Sequence, residues 1–156
     1  MGEITLIRID DRLIHGQVTT AWLSVFPSNK IIIANERIAK TPMYESIFAA
    51  TAISGIDILL LSPVDAADYI QKADRDQKIL IITPSPVDIV ALIDAGLKIE
   101  KLTVGGLQAR PNTKKLAKVV FATTQEEKAF LELRDRGVEM EVQMVPTDRI
   151  TRLDLK

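Results

Sequence analysis

The chain has 156 residues, a length typical of one domain with a sizeable core, and 47% of them are apolar while 26% are charged. A formal net charge of −1 and only 4% aromatic residues argue against a nucleic-acid-binding surface. There is no cysteine, which excludes disulfides, thiolate metal sites and cysteine nucleophiles.

Seven short apolar runs, separated by segments with a helical pattern, predict strands near residues 3–9, 30–34, 56–61, 79–83, 101–104, 118–121 and 138–145. The second to fourth runs are continuously apolar, which is typical of strands covered on both faces in a parallel sheet. The last run alternates between apolar and polar residues, which predicts an edge strand with one wet face. We therefore expect one α/β domain over residues 1–156, with the direction of the edge strand left open between parallel and antiparallel.

The sequence also contains signals that predict where helices begin and end. Ser62-Pro63-Val64-Asp65 and Ser85-Pro86-Val87-Asp88 each offer a capping serine, a proline at the first helical position and an acid at the third. Thr124 to Glu127 predicts a capping box for a further helix. Gly96 and Gly137 stand where helices end in a left-handed residue.

The stretch from Arg8 to Val18 contains the only histidine, His15, and follows the first predicted strand. A helical pattern begins after Gly16, so His15 is expected on a strand-to-helix loop. Such loops lie at the carboxyl ends of the strands, where α/β proteins bind their ligands. A helix N-terminus, the guanidinium of Arg12 and the bare backbone of Gly16 suit an anion. These features predict an imidazole that attacks a phosphoryl group, with a structural or merely exposed histidine as the alternative.

The acidic residues of this loop allow several interpretations. Asp10 is expected to orient the imidazole or Arg12, although a turn signal or half of an Mg²⁺-binding pair with Asp11 would use the same residues. Asp11 is expected to be solvated or structural, and Arg8 to form a structural ion pair inside the strand.

Gly105 and Gly106 end the fifth predicted strand, where they indicate a tight turn or a close backbone approach to something bound. The segment after them carries a local excess of positive charge from Arg110, Lys114, Lys115 and Lys118. It is expected either to face an acidic partner or to be a solvated surface. Trp22 is expected in helix packing, with a contact surface as the alternative.

The sequence resembles the IIB components of the mannose/fructose/sorbose class of the bacterial phosphotransferase system. The resemblance is carried by Arg8 to Val18 followed by Trp22, and it continues through three shorter motifs. These are Leu80-Ile81-Ile82-Thr83-Pro84, Val104-Gly105-Gly106-Leu107 and Arg136-Gly137-Val138. It therefore covers essentially the whole chain.

The resemblance implies an open, twisted, mainly parallel sheet with helices on both faces and His15 at its carboxyl edge. It implies that His15 accepts a phosphoryl group on Nδ1 from a IIA phosphohistidine and passes it to a sugar that enters through the membrane components IIC and IID. Arg12 would clamp the phosphoryl oxygens with Asp10 in support, and Gly16, Gly105 and Gly106 would shape the backbone around the group. No metal or other cofactor is expected.

The same resemblance implies a protein at the inner face of the membrane that does not span it. The longest apolar runs, such as Ile58 to Leu61, are too short to cross a bilayer, and no secretory signal precedes the first strand. We therefore expect a cytoplasmic protein, with a homo-oligomer left open.

Three other functions use similar residues. A histidine phosphatase or mutase needs a second histidine, which this chain lacks. A receiver-like phosphoacceptor would need an aspartate at the end of the third strand, where Leu61-Ser62 stands. A regulatory IIB-like domain that is not coupled to transport remains open.

Overall fold

The structure, a computed structural model, describes residues 1–51 and 53–155. In that part of the chain eight strands alternate with six helices. The strands are β1 (Glu3–Asp10), β2 (Lys30–Ala34), β3 (Asp57–Leu61), β4 (Lys78–Thr83), β5 (Lys101–Gly106), β6 (Lys114–Ala117), β7 (Val120–Ala122) and β8 (Glu139–Val142). The helices are α1 (Gly16–Val25), α2 (Glu36–Lys40), α3 (Pro42–Ala50), α4 (Pro63–Lys72), α5 (Pro86–Asp94) and α6 (Thr124–Asp135).

Six of the strands form one sheet in the order β3-β2-β4-β1-β5-β8, and every pairing in it is parallel. The strand order reverses direction around β1, which lies between β4 and β5. In open parallel sheets such a reversal leaves a crevice at the carboxyl ends of the strands, where ligands bind. The predicted mainly parallel sheet is confirmed.

Two details of the strand prediction need correction. The edge strand β8 does alternate between exposed and buried residues, but it runs parallel to β5, so the antiparallel orientation is wrong. The helix α6 carries the chain back across the sheet before β8, and such a crossover returns the chain in a parallel direction. The run near 118–121 is β7, which pairs antiparallel with the unpredicted β6 in a separate two-stranded sheet.

Helices cover both faces of the large sheet, as expected. On one face α4, α5 and α6 pack on a cluster that includes Ile70, Leu92 and Phe130. On the other face α2 and α3 contribute Ile38 and Phe48, with α1 packed against the same cluster. Burial of these apolar side chains supplies the main stabilisation of the fold.

The helix boundaries agree with the sequence signals, with one shift. Ser62 and Ser85 cap α4 and α5 through their hydroxyl oxygens, each followed by proline. The capping box of α6 is formed by Thr123 and Glu126, so the prediction of Thr124 is wrong by one residue. Gly96 and Gly137 have φ of 111° and 85°, which confirms the predicted left-handed helix ends.

No helix among residues 1–51 and 53–155 is long and apolar enough to cross a membrane.

Candidate active site

The loop after β1 folds back sharply before α1 begins. The Leu13 amide donates to the Asp10 carbonyl at 3.0 Å, and both Leu13 and Gly16 have positive φ, 61° and 51°. A left-handed conformation costs a residue with a side chain about 1 kcal/mol. Leu13 is held there because its side chain is buried in the apolar cluster under α2 and α3. The loop therefore presents Asp10, Arg12 and His15 together at the carboxyl edge of the sheet.

Asp10 is the centre of the site, and its side chain is only 1% exposed. Oδ1 accepts hydrogen bonds from the backbone amide of Arg12 at 3.0 Å and from Arg12 Nε at 3.3 Å. Oδ2 lies 3.1 Å from His15 Nε2 and accepts from Arg8 Nη2 at 3.4 Å. One carboxylate thus connects the imidazole with two guanidinium groups, and the expected orienting role of Asp10 agrees with this geometry.

The contact with Asp10 determines which ring nitrogen of His15 carries the proton. An ionised carboxylate can only accept a hydrogen bond, so Nε2 carries the proton and Nδ1 keeps its lone pair. The ring is 24% exposed, and the His15 amide donates to Thr19 Oγ1 at 3.1 Å. The imidazole is therefore held by its Nε2 side and by its backbone, and the lone pair of the ring lies on Nδ1.

Arg12 offers an unused hydrogen-bond donor next to this ring. Its Nη2 is buried and, among residues 1–51 and 53–155, has no hydrogen-bond partner. A buried donor without a partner costs about 1–3 kcal/mol, a penalty that an incoming anion would remove. The side chain is otherwise 31% exposed, so an anion can reach it.

Arg8 forms the expected ion pair, and its other contacts reach across the sheet. Its guanidinium donates to the carbonyls of Gln143 and Met144 and lies 4.4 Å from the centre of the Trp22 ring. Trp22 Nε1 donates to the same Met144 carbonyl at 2.8 Å. Trp22 is buried, so the packing interpretation is confirmed and the contact-surface alternative is wrong. Local sequence patterns do not reveal these hydrogen bonds to the residues after β8, because the bonded residues lie more than 100 positions apart in the chain.

Asp11 does not form a metal-binding pair with Asp10. Its Oδ2 accepts a hydrogen bond from the Gln108 amide at 2.7 Å, which ties the loop to the segment after β5. Burial raises the pKa of the Asp11 carboxyl above its usual range. Both oxygens of Asp10 already face cationic or N–H groups, and in the described ranges 1–51 and 53–155 no three His, Asp or Glu side chains gather as a metal site. The structural interpretation of Asp11 is confirmed.

Of the two glycines of β5, Gly105 makes room for this network and Gly106 lies beside it. A Cβ on Gly105 would clash with the Arg8 guanidinium and lie 2.8 Å from Asp10 Oδ2, and one on Gly106 would lie 3.5 Å from Arg12 Nη2. Both belong to the strand, so the tight-turn prediction is wrong, and the close approach they permit is to side chains of the chain itself. Gly16 has open space around it, and its positive φ is what requires glycine.

The basic segment after β5 is partly neutralised. Arg110 Nη2 contacts Glu126 at 2.9 Å, and Lys114 Nζ contacts Glu127 at 2.8 Å. Both acids lie in the first turn of α6. The segment thus fastens the β6–β7 hairpin to α6 at the side of the site, an intramolecular role that the charge count alone did not reveal.

A second polar pair lies at the same edge of the sheet, one strand beyond β4. Asn35 Nδ2 donates to both carboxylate oxygens of Asp88, at 3.2 and 3.0 Å, while Asn35 Oδ1 caps α2. Burial raises the pKa of Asp88 to about 6. The sequence predicted Asp88 only as an acid in the first turn of α5. Its partner Asn35 could not be predicted from a local pattern, because it lies 53 residues away in the chain.

The space next to His15 is too small to hold a substrate. The space bordered by Arg8, Leu13, His15 and Trp22 is about 10 Å³. A crevice of about 570 Å³ lies elsewhere, between α3 and β3. A small substrate would be poorly enclosed at His15, since ligand pockets usually measure about 300–1,000 Å³. This shape suits a group that is delivered and removed by other molecules docking on the surface.

Comparison with known proteins identifies a family that this chain matches. Residues 4–155 match the family model described as the sorbose subfamily IIB component of the PTS system. This match covers nearly the entire chain, including every residue of the site.

Individual relatives agree with the family match. The chain is 35% identical to the sorbose-specific EIIB component of Klebsiella pneumoniae, over 94% of this chain and 90% of that protein. It is 31% identical to the mannose-specific EIIAB component of Escherichia coli (strain K12), over 97% of this chain but only 48% of that longer protein. The crystal structure of the IIBSor domain of the Klebsiella pneumoniae sorbose permease superposes with a TM-score of 0.89 at 33% identity, covering 96% of this chain and 92% of that chain.

Proposed function

The chain belongs to the sorbose subfamily of IIB components of the phosphotransferase system, and from this premise we propose that His15 is the residue that carries its phosphoryl group. The chain is a phosphocarrier subunit of a sugar phosphotransferase system. Its activity is that of a protein-Nπ-phosphohistidine–sugar phosphotransferase.

The contact between Asp10 Oδ2 and His15 Nε2 is the observation that carries the assignment. It leaves the lone pair on Nδ1, so Nδ1 attacks the phosphorus of a donor phosphohistidine. A bond forms between Nδ1 and phosphorus while the bond to the donor nitrogen breaks, and its electron pair returns to the donor imidazole. The ring of His15 gains positive charge in this step, and the adjacent carboxylate stabilises that charge.

Arg12 and the start of α1 stabilise the transferring group. Arg12 Nη2 has a hydrogen bond to give, and the first amides of α1 have no partner within the helix, as at every helix N-terminus. The helix dipole adds a favourable potential for an anion. Phosphoryl transfer depends chiefly on such positioning and charge stabilisation. We assign Arg12 to the equatorial phosphoryl oxygens and Asp10 to the imidazole.

The second transfer moves the phosphoryl group from His15 to the sugar. A sugar hydroxyl oxygen attacks phosphorus, the Nδ1–phosphorus bond breaks, and its electron pair returns to the ring. The hydroxyl proton passes to water, and His15 is restored with its Nε2 proton still facing Asp10. Gly16 supports both transfers by shaping the loop and Gly105 by leaving room for Arg8, while Gly106 lies within contact distance of Arg12.

The partners follow from this sequence of transfers. We assign the donor role to a IIA phosphoprotein, because a relative with the same domain joins IIA and IIB in one EIIAB chain. The acceptor sugar would arrive through the membrane components IIC and IID. We place the chain at the cytoplasmic face of the membrane, in contact with those components, and the open surface around His15 would admit both partners in turn.

A receiver-like or regulatory phosphoacceptor is the weaker candidate. It would use Asp10 and Asp11 for a metal, but Asp10 is committed to the basic groups and Asp11 to Gln108. Strand β3 ends at Leu61, with no acceptor carboxylate at that position. Family membership favours the transport-coupled carrier.

The proposal is tested by phosphorylating the protein with a phosphoenolpyruvate-driven donor chain that ends in a IIA protein. We expect a label that is acid-labile and resistant to hydroxylamine, as a phosphohistidine is and an acyl phosphate is not. Because the sequence has a single histidine, such a label identifies its own position.

Two variants complete this experiment. His15→Ala should take up no label, whereas Gln17→Ala, an exposed neighbour on α1, should be labelled like the original protein. A label that survives in His15→Ala, or one that hydroxylamine removes, would exclude His15 as the carrier.

A further inference from the structure

Arg8 places a buried positive charge beside the site without a direct part in the proposed transfer. Its side chain points to the same face of β1 as that of Asp10, because side chains two residues apart in a strand share a face. Guanidinium groups are seldom buried unless they are paired, since removal from water is costly. Burial lowers the pKa of Arg8 to about 10, so the group stays charged at neutral pH.

The guanidinium of Arg8 is fixed from several sides. Nη1 donates to the Gln143 carbonyl at 3.2 Å, and Nη2 donates to the Met144 carbonyl at 3.3 Å and to Asp10 Oδ2 at 3.4 Å. The Trp22 ring covers one face of the group, with the guanidinium carbon 4.4 Å from the ring centre. These contacts come from α1 and from the end of β8, so the position of Arg8 is set by elements outside the His15 loop.

Gly105 determines how close Arg8 can come to Asp10. A methyl group at this position would overlap the Arg8 guanidinium and approach Asp10 Oδ2 to 2.8 Å. A side chain on Gly105 would therefore displace the Arg8 guanidinium without removing its charge, and it would also press on Asp10 Oδ2. The position offers a second way to disturb the contact between Arg8 and Asp10.

The contacts of Asp10 show what Arg8 accomplishes. Oδ1 is held by two N–H groups of Arg12. Oδ2 is shared between Arg8 and His15. With only Oδ1 held, the carboxylate could turn about its Cβ–Cγ bond and move Oδ2 away from the imidazole. Arg8 supplies the second point that fixes its plane.

We propose that Arg8 is a positioning residue, which holds the Asp10 carboxylate in the orientation that keeps His15 in its Nε2–H tautomer. The inference deepens the proposed function and rests on it, because the tautomer matters only if Nδ1 is the nucleophile. The tautomer itself is a property of the unphosphorylated protein, so it can be measured whether or not transfer occurs.

The test compares ring ¹⁵N chemical shifts of His15 with initial rates of phosphorylation in Arg8→Met and Gly105→Ala. A single histidine gives a single pair of ring signals. The original protein should show one tautomer, with the proton on Nε2. Both variants should show a mixture with increased Nδ1–H, and both should be phosphorylated about tenfold more slowly or worse, because small misplacements in a reacting geometry have effects of this size.

Two further variants separate positioning from general damage. Arg134→Met, an exposed arginine in the last turn of α6, should leave both the ring signals and the rate unchanged. Arg8→Lys should be intermediate, because lysine keeps the charge but not the forked set of donors. If Arg8→Met does not fold, Arg8→Lys still decides the question, because it changes the donors of Arg8 without pressing on Asp10 through Gly105.

The proposal is overturned if Arg8→Met and Gly105→Ala keep the original ring signals and rate while only their stability falls. Arg8 would then be a structural ion pair and nothing more. If the original protein takes up no phosphoryl group at His15, the proposed function fails, but the ring signals still show whether Arg8 controls the tautomer.

Discussion

At the scale of single residues, the site consists of three charged side chains around the imidazole of His15. Arg8 and Arg12 each contribute one positive charge and Asp10 contributes one negative charge, which leaves a net charge of about +1 next to His15. A phosphoryl group brings about −1.5 to −2. These surroundings would therefore attract the phosphoryl group that we propose for His15.

Arg12 is the residue whose loss should separate activity from stability most clearly. Arg12→Ala removes the unpaired Nη2 donor but keeps the backbone amide that binds Asp10 Oδ1. We expect phosphorylation by IIA to slow about 100-fold, the usual cost of losing a donor that stabilises developing charge. The free energy of unfolding should change by about 1 kcal/mol or less, since the ion pair is partly exposed.

Rates from a IIA donor assay and denaturant unfolding curves measure these two effects. Arg134→Ala on α6 serves as a control that removes an exposed arginine elsewhere and should change neither. Equal losses of stability and of transfer in Arg12→Ala would count against its role as a clamp.

At the scale of elements, the turn between β1 and α1 determines where the reactive ring stands. Gly16 is the first residue of α1 and has φ of 51°, with open space where a side chain would be. Gly137, after the end of α6, has φ of 85° and equally open space. The two glycines therefore form a matched pair, of which one adjoins His15.

Gly16→Ala and Gly137→Ala should each lower the free energy of unfolding by about 1 kcal/mol or more, because alanine is strained at positive φ. Only Gly16→Ala should slow phosphorylation, since relief of that strain moves the first turn of α1 and the ring of His15. Unfolding curves and rates measured side by side would decide this. Similar slowing in both variants would show that the effect follows from stability rather than from the geometry of the loop.

The start of α5 has a pH dependence that follows from its buried acid. Asp88 has a pKa raised to about 6 in the folded protein by burial, above the value near 3.9 of an unfolded chain. Between these values the folded protein binds the extra proton, so the free energy of unfolding falls as pH rises. The stabilising contribution is complete below about pH 4 and is lost as pH rises through about 6.

Asp88→Asn removes this titration while its amide oxygen can still accept from Asn35. Relative to the original protein, the variant should gain about 2 to 3 kcal/mol in free energy of unfolding between pH 3.5 and pH 7. Denaturant curves at both values of pH measure this gain. A difference between the two proteins that stays constant with pH would mean that Asp88 is not protonated near pH 6.

At the scale of the whole molecule, the strongly apolar parts of the fold were predictable from sequence. Strands β1 to β5 lie where the apolar runs predicted them, because all five belong to the parallel sheet and are covered by helices, although the edge strand β3 is only half-buried. The β6 strand, KKLA, was missed because its two lysines face outwards and its stability comes from pairing with β7. The direction of β8 could not be decided from its own alternation, since that pattern reports exposure and not the path of the chain.

The site was predictable to the extent that it is local. Asp10, Arg12 and His15 lie within six residues, and their loop brings them together. The support from Trp22 and from the carbonyls of Gln143 and Met144 depends on where β8 ends, across β5 from β1, a long-range arrangement without a local signal. The role of Gly105 was hidden for the same reason.

That residues 1–156 form a single folding unit remains a prediction. Trp22 is the only tryptophan and bridges α1 and the segment after β8. We expect its fluorescence and the far-ultraviolet circular dichroism to report the same unfolding midpoint, as in a cooperative transition. Two separate midpoints would show that parts of the sheet unfold independently.

The central claim is that Nδ1 of His15 carries the phosphoryl group while Nε2 stays bonded to Asp10. It is tested most directly by ¹⁵N and ³¹P magnetic resonance of the phosphorylated protein labelled with ¹⁵N in its one histidine. We predict coupling between phosphorus and Nδ1, with the proton retained on Nε2. Coupling to Nε2, or a phosphorylated protein whose histidine signals are unchanged, would contradict the account.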